Sequence, residues 1–323
     1  MAGMYLAFLA SALLAGTLLA VQASVNLQLN RAVGTPYGAS TLQLSVAAVL
    51  LAVVAVVTGS LGALGGVGDA TWWHLLGGLA SPLYITSGIL LIPRLGAVTT
   101  VGLWVTGQVL ASLVLDLGGL LGVRQVPLNP LVVVGAAAVV VGISVVVRGQ
   151  NRTIKAGPGT ATPADTRPAP GSRTGWVLLG VVAGGVLPVQ GAVNALLRGD
   201  LGAPFAVALI SFAVAVAAIA VVLAVLVATG KTPGPGLDGL RGMPWWGWLG
   251  GACAAAYVTV TFLLIPEIGA ATTVAFTVTG QQLASAVIDH HGLFRLPRRR
   301  LTTARLAGVA LLIAGSVLVQ IAK

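Results

Sequence analysis

Gln22 and Asn26 stand four residues apart, and the pair recurs as Gln190 and Asn194. Four residues is about one helical turn, so each pair shares a helix face. Gln108, Ser112 and Asp116 keep the same spacing, as do Gln281, Ser285 and Asp289. All lie within long apolar runs. Amides and hydroxyls placed there can hold a polar ligand through neutral hydrogen bonds, and carboxylates can carry a proton or pair with a cation. The same groups can instead join helices, at about 0.6 kcal/mol per hydrogen bond. For Gln22, Asn26, Gln190 and Asn194 both readings stand. Gln108 and Gln281 read as ligand groups, because each follows Thr-Gly and glycine permits close approach. Asp116 and Asp289 read first as interfacial caps or ion-pair partners and second as coupling residues. Tyr84 and Tyr257 are candidates to flank a substrate, with packing as the alternative. His74, His290 and His291 fall near the ends of apolar runs, so no metal site is expected. No nucleophile or acid–base constellation stands out, and neither catalysis nor a cofactor is expected.

The elements that carry these residues are set by the solvent. The chain has 323 residues, of which 57% are hydrophobic and 7% charged. A soluble domain carries about a quarter charged residues, so most of this surface must face lipid. The net charge of +10 sits in short segments between apolar runs, without the basic stripe of a nucleic-acid binder. Runs long enough to cross a bilayer fall near 4–29, 38–58, 72–92, 96–116 and 129–147, then 175–197, 204–229, 245–265, 269–289 and 304–321. The first is too long for a signal peptide's apolar region and lacks a preceding positive segment, so it reads as a retained span. Residues 149–174, rich in Pro, Gly, Thr and Ala, have little to bury and read as a flexible linker. Cys253 is the lone cysteine, which excludes an internal disulfide.

A duplication explains the recurring residues. Gln22, Asn26, Gly34 and Pro36 reappear 168 positions on, as Gln190, Asn194, Gly202 and Pro204. Further along the shift is 173: Trp72-Trp73 matches Trp245-Trp246, Gly77-Gly78 matches Gly250-Gly251, and Tyr84 matches Tyr257. Pro93, Gly107-Gln108, Ser112, Asp116, Gly135 and Gly142 match Pro266, Gly280-Gln281, Ser285, Asp289, Gly308 and Gly315. The expected organisation is residues 1–148 as one five-helix repeat, 149–174 as a linker and 175–323 as the second repeat. Five is odd, so the second repeat enters the membrane inverted.

The charges agree. With alternate connections assigned to opposite sides, all of the 17 Lys and Arg fall on one side except Arg124, Arg198 and Lys323. Positive residues mark the cytoplasmic side, which puts the linker inside and both termini outside. An all-α integral membrane protein of about ten spans, in two inverted repeats, is the architecture of many secondary transporters, whose sites lie near the midplane where the repeats meet. Pro188 has no counterpart in the first half, where Ala20 stands, and should kink its span just before Gln190. No nucleotide-binding motif is present to drive transport directly. The leading expectation is a secondary transporter or exporter of a small polar metabolite or drug-like molecule, working by alternating access. A flippase for a lipid or lipid-linked carrier, a channel and a membrane-embedded lipid-modifying enzyme are the competing readings. The expected partners are a small-molecule substrate and the lipid bilayer, no nucleic acid, and a second copy in a homodimer is allowed.

Gln and Asn four apart in the first span of each half, followed by Gly-x-Pro opening the next span, resembles the YdcZ-like family of the drug/metabolite transporter superfamily. The resemblance covers nearly the whole chain outside the linker and implies a fused ten-helix form. It also implies a multi-pass protein of the bacterial inner membrane that exports small molecules. The related small multidrug resistance proteins carry a buried glutamate in their first helix. This chain has Gln22 there and no acid, so proton exchange by that route is not expected.

Overall fold

In a computed structural model, residues 2–123, 125, 127–155, 170–268 and 270–322 are described, and they form ten α-helices. The first half holds α1 (Ala2–Val33), α2 (Pro36–Val57), α3 (Ala80–Leu95), α4 (Ala97–Gly118) and α5 (Pro130–Lys155). The second holds α6 (Pro170–Leu201), α7 (Pro204–Ala228), α8 (Leu249–Ile268), α9 (Ala270–His291) and α10 (Thr303–Ile321). Among the described residues, eight of these are long and apolar enough to cross a membrane; α8 and α9 are the two outside that set. In lipid every backbone polar group needs a partner inside the protein, and a helix supplies one locally.

The repeated Gly-x-Pro motif acts as a helix stop and start. Gly34 and Gly202 take left-handed φ values of 80° and 66°, and their N–H groups donate to Asn30 O and Arg198 O. That closes α1 and α6, since only glycine takes this conformation freely. Pro36 and Pro204 then open α2 and α7, where a missing N–H costs nothing. Pro188 lies inside α6, which continues through it. Helices α5 and α6 reach Lys155 and Pro170, inside the segment 149–174 expected to be a flexible linker; its centre, 156–169, lies outside the described residues.

The two halves interlock. Helix α1 packs on α8 and α9, and its counterpart α6 packs on α3 and α4; α2 pairs with α7, and α5 with α10. Equivalent glycines make equivalent crossings. A methyl group at Gly107 would overlap the Val181 carbonyl, and one at Gly280 would overlap that of Leu13. Gly184 lies against the Trp104 backbone, and Gly16 against that of Thr277. Gly135 and Gly142 of α5 meet Gly315 and Gly308 of α10. Small residues let helix backbones approach where no hydrophobic drive exists between them. Each contact maps onto its partner by the repeat, so the halves are related by a pseudo-two-fold axis.

Connections gather at two ends. At one end Asp200 meets His74, Gly122 lies by Leu196, and Asn129 donates to Ala322 O. At the other, Thr35 bonds Thr232, Gln28 donates to Phe294 O, and the Arg94 guanidinium lies 4.3 Å from the Trp176 ring centroid. The second end carries Arg31, Arg94, Lys231, Arg241 and the run Arg298 to Arg300. It is the basic face, and the first is the neutral face. Trp72 and Trp245 project from opposite ends, 71% and 75% exposed, as interfacial anchors do.

Candidate functional site

A cavity of about 190 Å³ lies among α1, α3, α6, α7 and α8. Its wall contains both members of five repeat pairs: Leu19 and Leu187, Gln22 and Gln190, Ser81 and Ala254, Tyr84 and Tyr257, Ile85 and Val258. A surface holding both members of each pair straddles the pseudo-two-fold axis. The rest of the wall, Gly191, Asn194, Ala208, Ser211, Phe212 and Thr261, belongs to the second half alone. The counterparts Ala23, Asn26, Ser40, Gln43, Leu44 and Gly88 are all buried. The wall therefore extends from the axis on the second half's side, where Gly191 is exposed and Asn194 and Thr261 are half-buried, and not on the first half's side.

Hydrogen bonds differ across the axis in the same sense. Asn26 donates to Gln43 Oε1 at 3.3 Å, and Asn194 to Ser211 Oγ at 3.2 Å, each pair 17 residues apart. The Oδ1 atoms of Asn26 and Asn194 sit where a Cβ on Gly250 or Gly77 would stand. Gln190 Nε2 donates to Ser81 Oγ at 2.8 Å and to Ser211 Oγ at 3.3 Å. Gln22 has neither hydroxyl, because Ala254 and Gln43 hold those positions, and its Oε1 is buried without a partner among the described residues. Gln281 donates to the Tyr84 hydroxyl at 3.1 Å. The Tyr84 ring lies 4.3 Å from that of Trp104, whose indole N–H donates to Ser87 Oγ at 3.0 Å.

Of the residues expected in a site, Gln22, Gln190, Asn194, Tyr84 and Tyr257 meet at this cavity. Asn26 lies outside its wall, in the packed counterpart region with Gln43. Gln281 stands one layer back, behind Tyr84, and Ser285 donates to Gln282 O within α9. Gln108 and Ser112 are half-buried on α4 and do not reach the wall. The glycine before Gln108 does permit close approach, but what approaches is the α6 backbone. Ser81, Ser211 and Phe212 were not anticipated. Ser81 has no serine at the equivalent position of the other half, and Ser211 aligns with Gln43, so the repeat carried no signal for either.

Asp289 is placed by the fold at the basic face, away from the cavity. Its Oδ1 accepts from Ala97 N at 2.8 Å and its Oδ2 from Val98 N at 3.2 Å, capping the N-terminus of α4 from the other half. Arg305 Nη2 lies 3.0 Å from Oδ2. An anion at a helix N-terminus is favourable. Arg299 joins the cluster by donating to Pro93 O at 3.0 Å; burial holds its guanidinium below the usual arginine range, opposed by the nearby Asp289 carboxylate. The counterpart of Asp289 at the neutral face, Asp116, is half-buried. In sequence, Val126 and Val132 stand where the repeat would put Arg299 and Arg305. Among the described residues, no group of His, Cys, Asp and Glu could hold a metal ion.

The family described as "Putative inner membrane exporter, YdcZ" matches residues 7–145 and 175–318. No curated protein matches the chain. A crystal structure of a protein 16% identical covers 97% of this chain and 97% of its own, with a TM-score of 0.55. At that identity the likeness concerns the fold alone.

Proposed function

The chain belongs to the YdcZ family of the drug/metabolite transporter superfamily, and on that premise we propose that it exports a small polar or drug-like molecule by alternating access. The observation that carries this reading is the one-sided cavity on the pseudo-two-fold axis. Two inverted halves have two near-equivalent packings, one open to each side. Here the second half's Gly191 and Asn194 stand exposed and half-buried at the cavity wall, while their counterparts Ala23 and Asn26 are buried away from it. Exchanging those roles across the axis would expose the same central Gln22, Gln190, Tyr84 and Tyr257 to the other face. By the charge rule the basic face is cytoplasmic. Asp289 serves as an ion-pair and capping residue, and coupling falls to Asp116 or to an inorganic ion.

Cysteine accessibility tests the exchange. In a Cys253→Ala background, Gly191→Cys and Ala23→Cys report equivalent positions on opposite sides of the axis. A Cβ at Gly191 would meet nothing within 4 Å, whereas Ala23 is 6% exposed. A water-soluble maleimide should label position 191 faster, and a transported substrate should slow labelling at 191 while speeding it at 23. Rates at the two positions that never change in opposite directions would remove alternating access.

A further inference from the structure

We infer that the substrate is uncharged, of about one ring in size, and carries a carboxamide-like edge that pairs with Gln22. This rests on the transport reading and narrows it. Gln22 is 4% exposed and lines the cavity, and its Oε1 has no partner among the described residues. A buried amide left unpaired is costly, and its repeat partner shows what pairing looks like: Gln190 is engaged by Ser81 and Ser211. Those hydroxyls stand on one side of the axis, with Ala254 and Gln43 on the other, and Gln43 is committed to Asn26 and to Gly250 O. Gln22 thus holds, at the cavity wall, an acceptor with no partner among the described residues, and its amide also carries two N–H donors. A carboxamide, with its own N–H and C=O side by side, satisfies both.

The walls set the remainder of the class. Leu19, Leu187, Phe212 and Val258 are apolar, and among the described residues no Asp, Glu, Lys, Arg or His reaches the cavity. An ion entering would be desolvated without a counter-charge, which is heavily penalised. In size, a dry apolar cavity of about 150 Å³ holds benzene, and this one, at about 190 Å³, leaves room for one substituent.

The test uses the full chain in detergent and four probes on a common ring: benzamide, benzylamine, benzoate and ethylbenzene. Calorimetric titration should show benzamide binding tightest. The two ions should be at least about tenfold weaker, and ethylbenzene roughly tenfold weaker. Gln22→Leu should weaken benzamide roughly tenfold and leave ethylbenzene unharmed. Gln22→Glu should let benzylamine overtake benzamide, a gain that misfolding cannot mimic. Either ion binding the wild type as well as benzamide, undiminished benzamide binding in Gln22→Leu, or no benzamide binding overturns the inference. Flux in liposomes separates the two readings. Benzamide bound but not moved keeps the ligand class and removes transport; saturable flux of an ion with no benzamide flux does the reverse.

Discussion

The Arg305 guanidinium lies 3.0 Å from the Asp289 carboxylate, and both side chains are at most 3% exposed. Because Asp289 also caps α4, this one carboxylate ties α9 and α10 of the second half to the first half at the basic face. Removing one partner strands the other charge in a dry setting. Asp289→Asn and Arg305→Met should each destabilise the protein by about 3–5 kcal/mol. The double variant should recover part of that loss. Thermal unfolding in detergent measures both; single variants that unfold like the wild type would show the pair to be inert.

Gly250 and Asn26 are a second coupled pair. A methyl group at Gly250 would collide with Asn26 Oδ1, a side-chain atom that can be removed. Gly250→Ala should cost about 1–3 kcal/mol, and adding Asn26→Ala should restore part of it. The same cycle applies to Gly77 and Asn194. Gly107→Ala should resist any such rescue, because its obstacle is the Val181 backbone.

Tyr84→Phe should leave the Gln281 amide without its acceptor in a fully buried site. The expected loss is about 1–3 kcal/mol. Tyr84→Phe with Gln281→Leu should be milder than Tyr84→Phe alone, since both ends of the bond are then apolar. A double-mutant cycle in stability reads the coupling, and additive losses would argue against it.

Sidedness is open to labelling in whole cells. Trp72 is exposed at the neutral face and Arg295 at the basic face. In the Cys253→Ala background, an impermeant thiol reagent added outside should modify Trp72→Cys and spare Arg295→Cys until the cells are opened. The reverse pattern would invert the assigned orientation.

Much of the architecture was legible because duplication writes itself twice. Paired tryptophans, the Gly-x-Pro stops and the Gln-Asn pair in each first span can be matched without knowing any contact. The site was legible to the extent that its residues sit on the axis, where both copies meet: Gln22 with Gln190, and Tyr84 with Tyr257. Residues used on one side alone, such as Ser81 and Ser211, leave no doubled trace. Nor does sequence tell what a small residue is making room for. The glycine beside Gln108 suggested a ligand, and the structure puts a helix there. The pairing of Asp289 with the N-terminus of α4 spans 192 residues, and nothing local in either segment announces it.

Fusing the two halves has a consequence for how the molecule waits. Two identical antiparallel subunits must be equally content facing either way, because turning the assembly over returns the same object. Here the basic rim has an arginine clasp, and the sequence of the matching neutral rim has valines instead. Under the alternating-access proposal, that inequality would weight the scale, giving the empty molecule a preferred resting direction written into its own covalent chain.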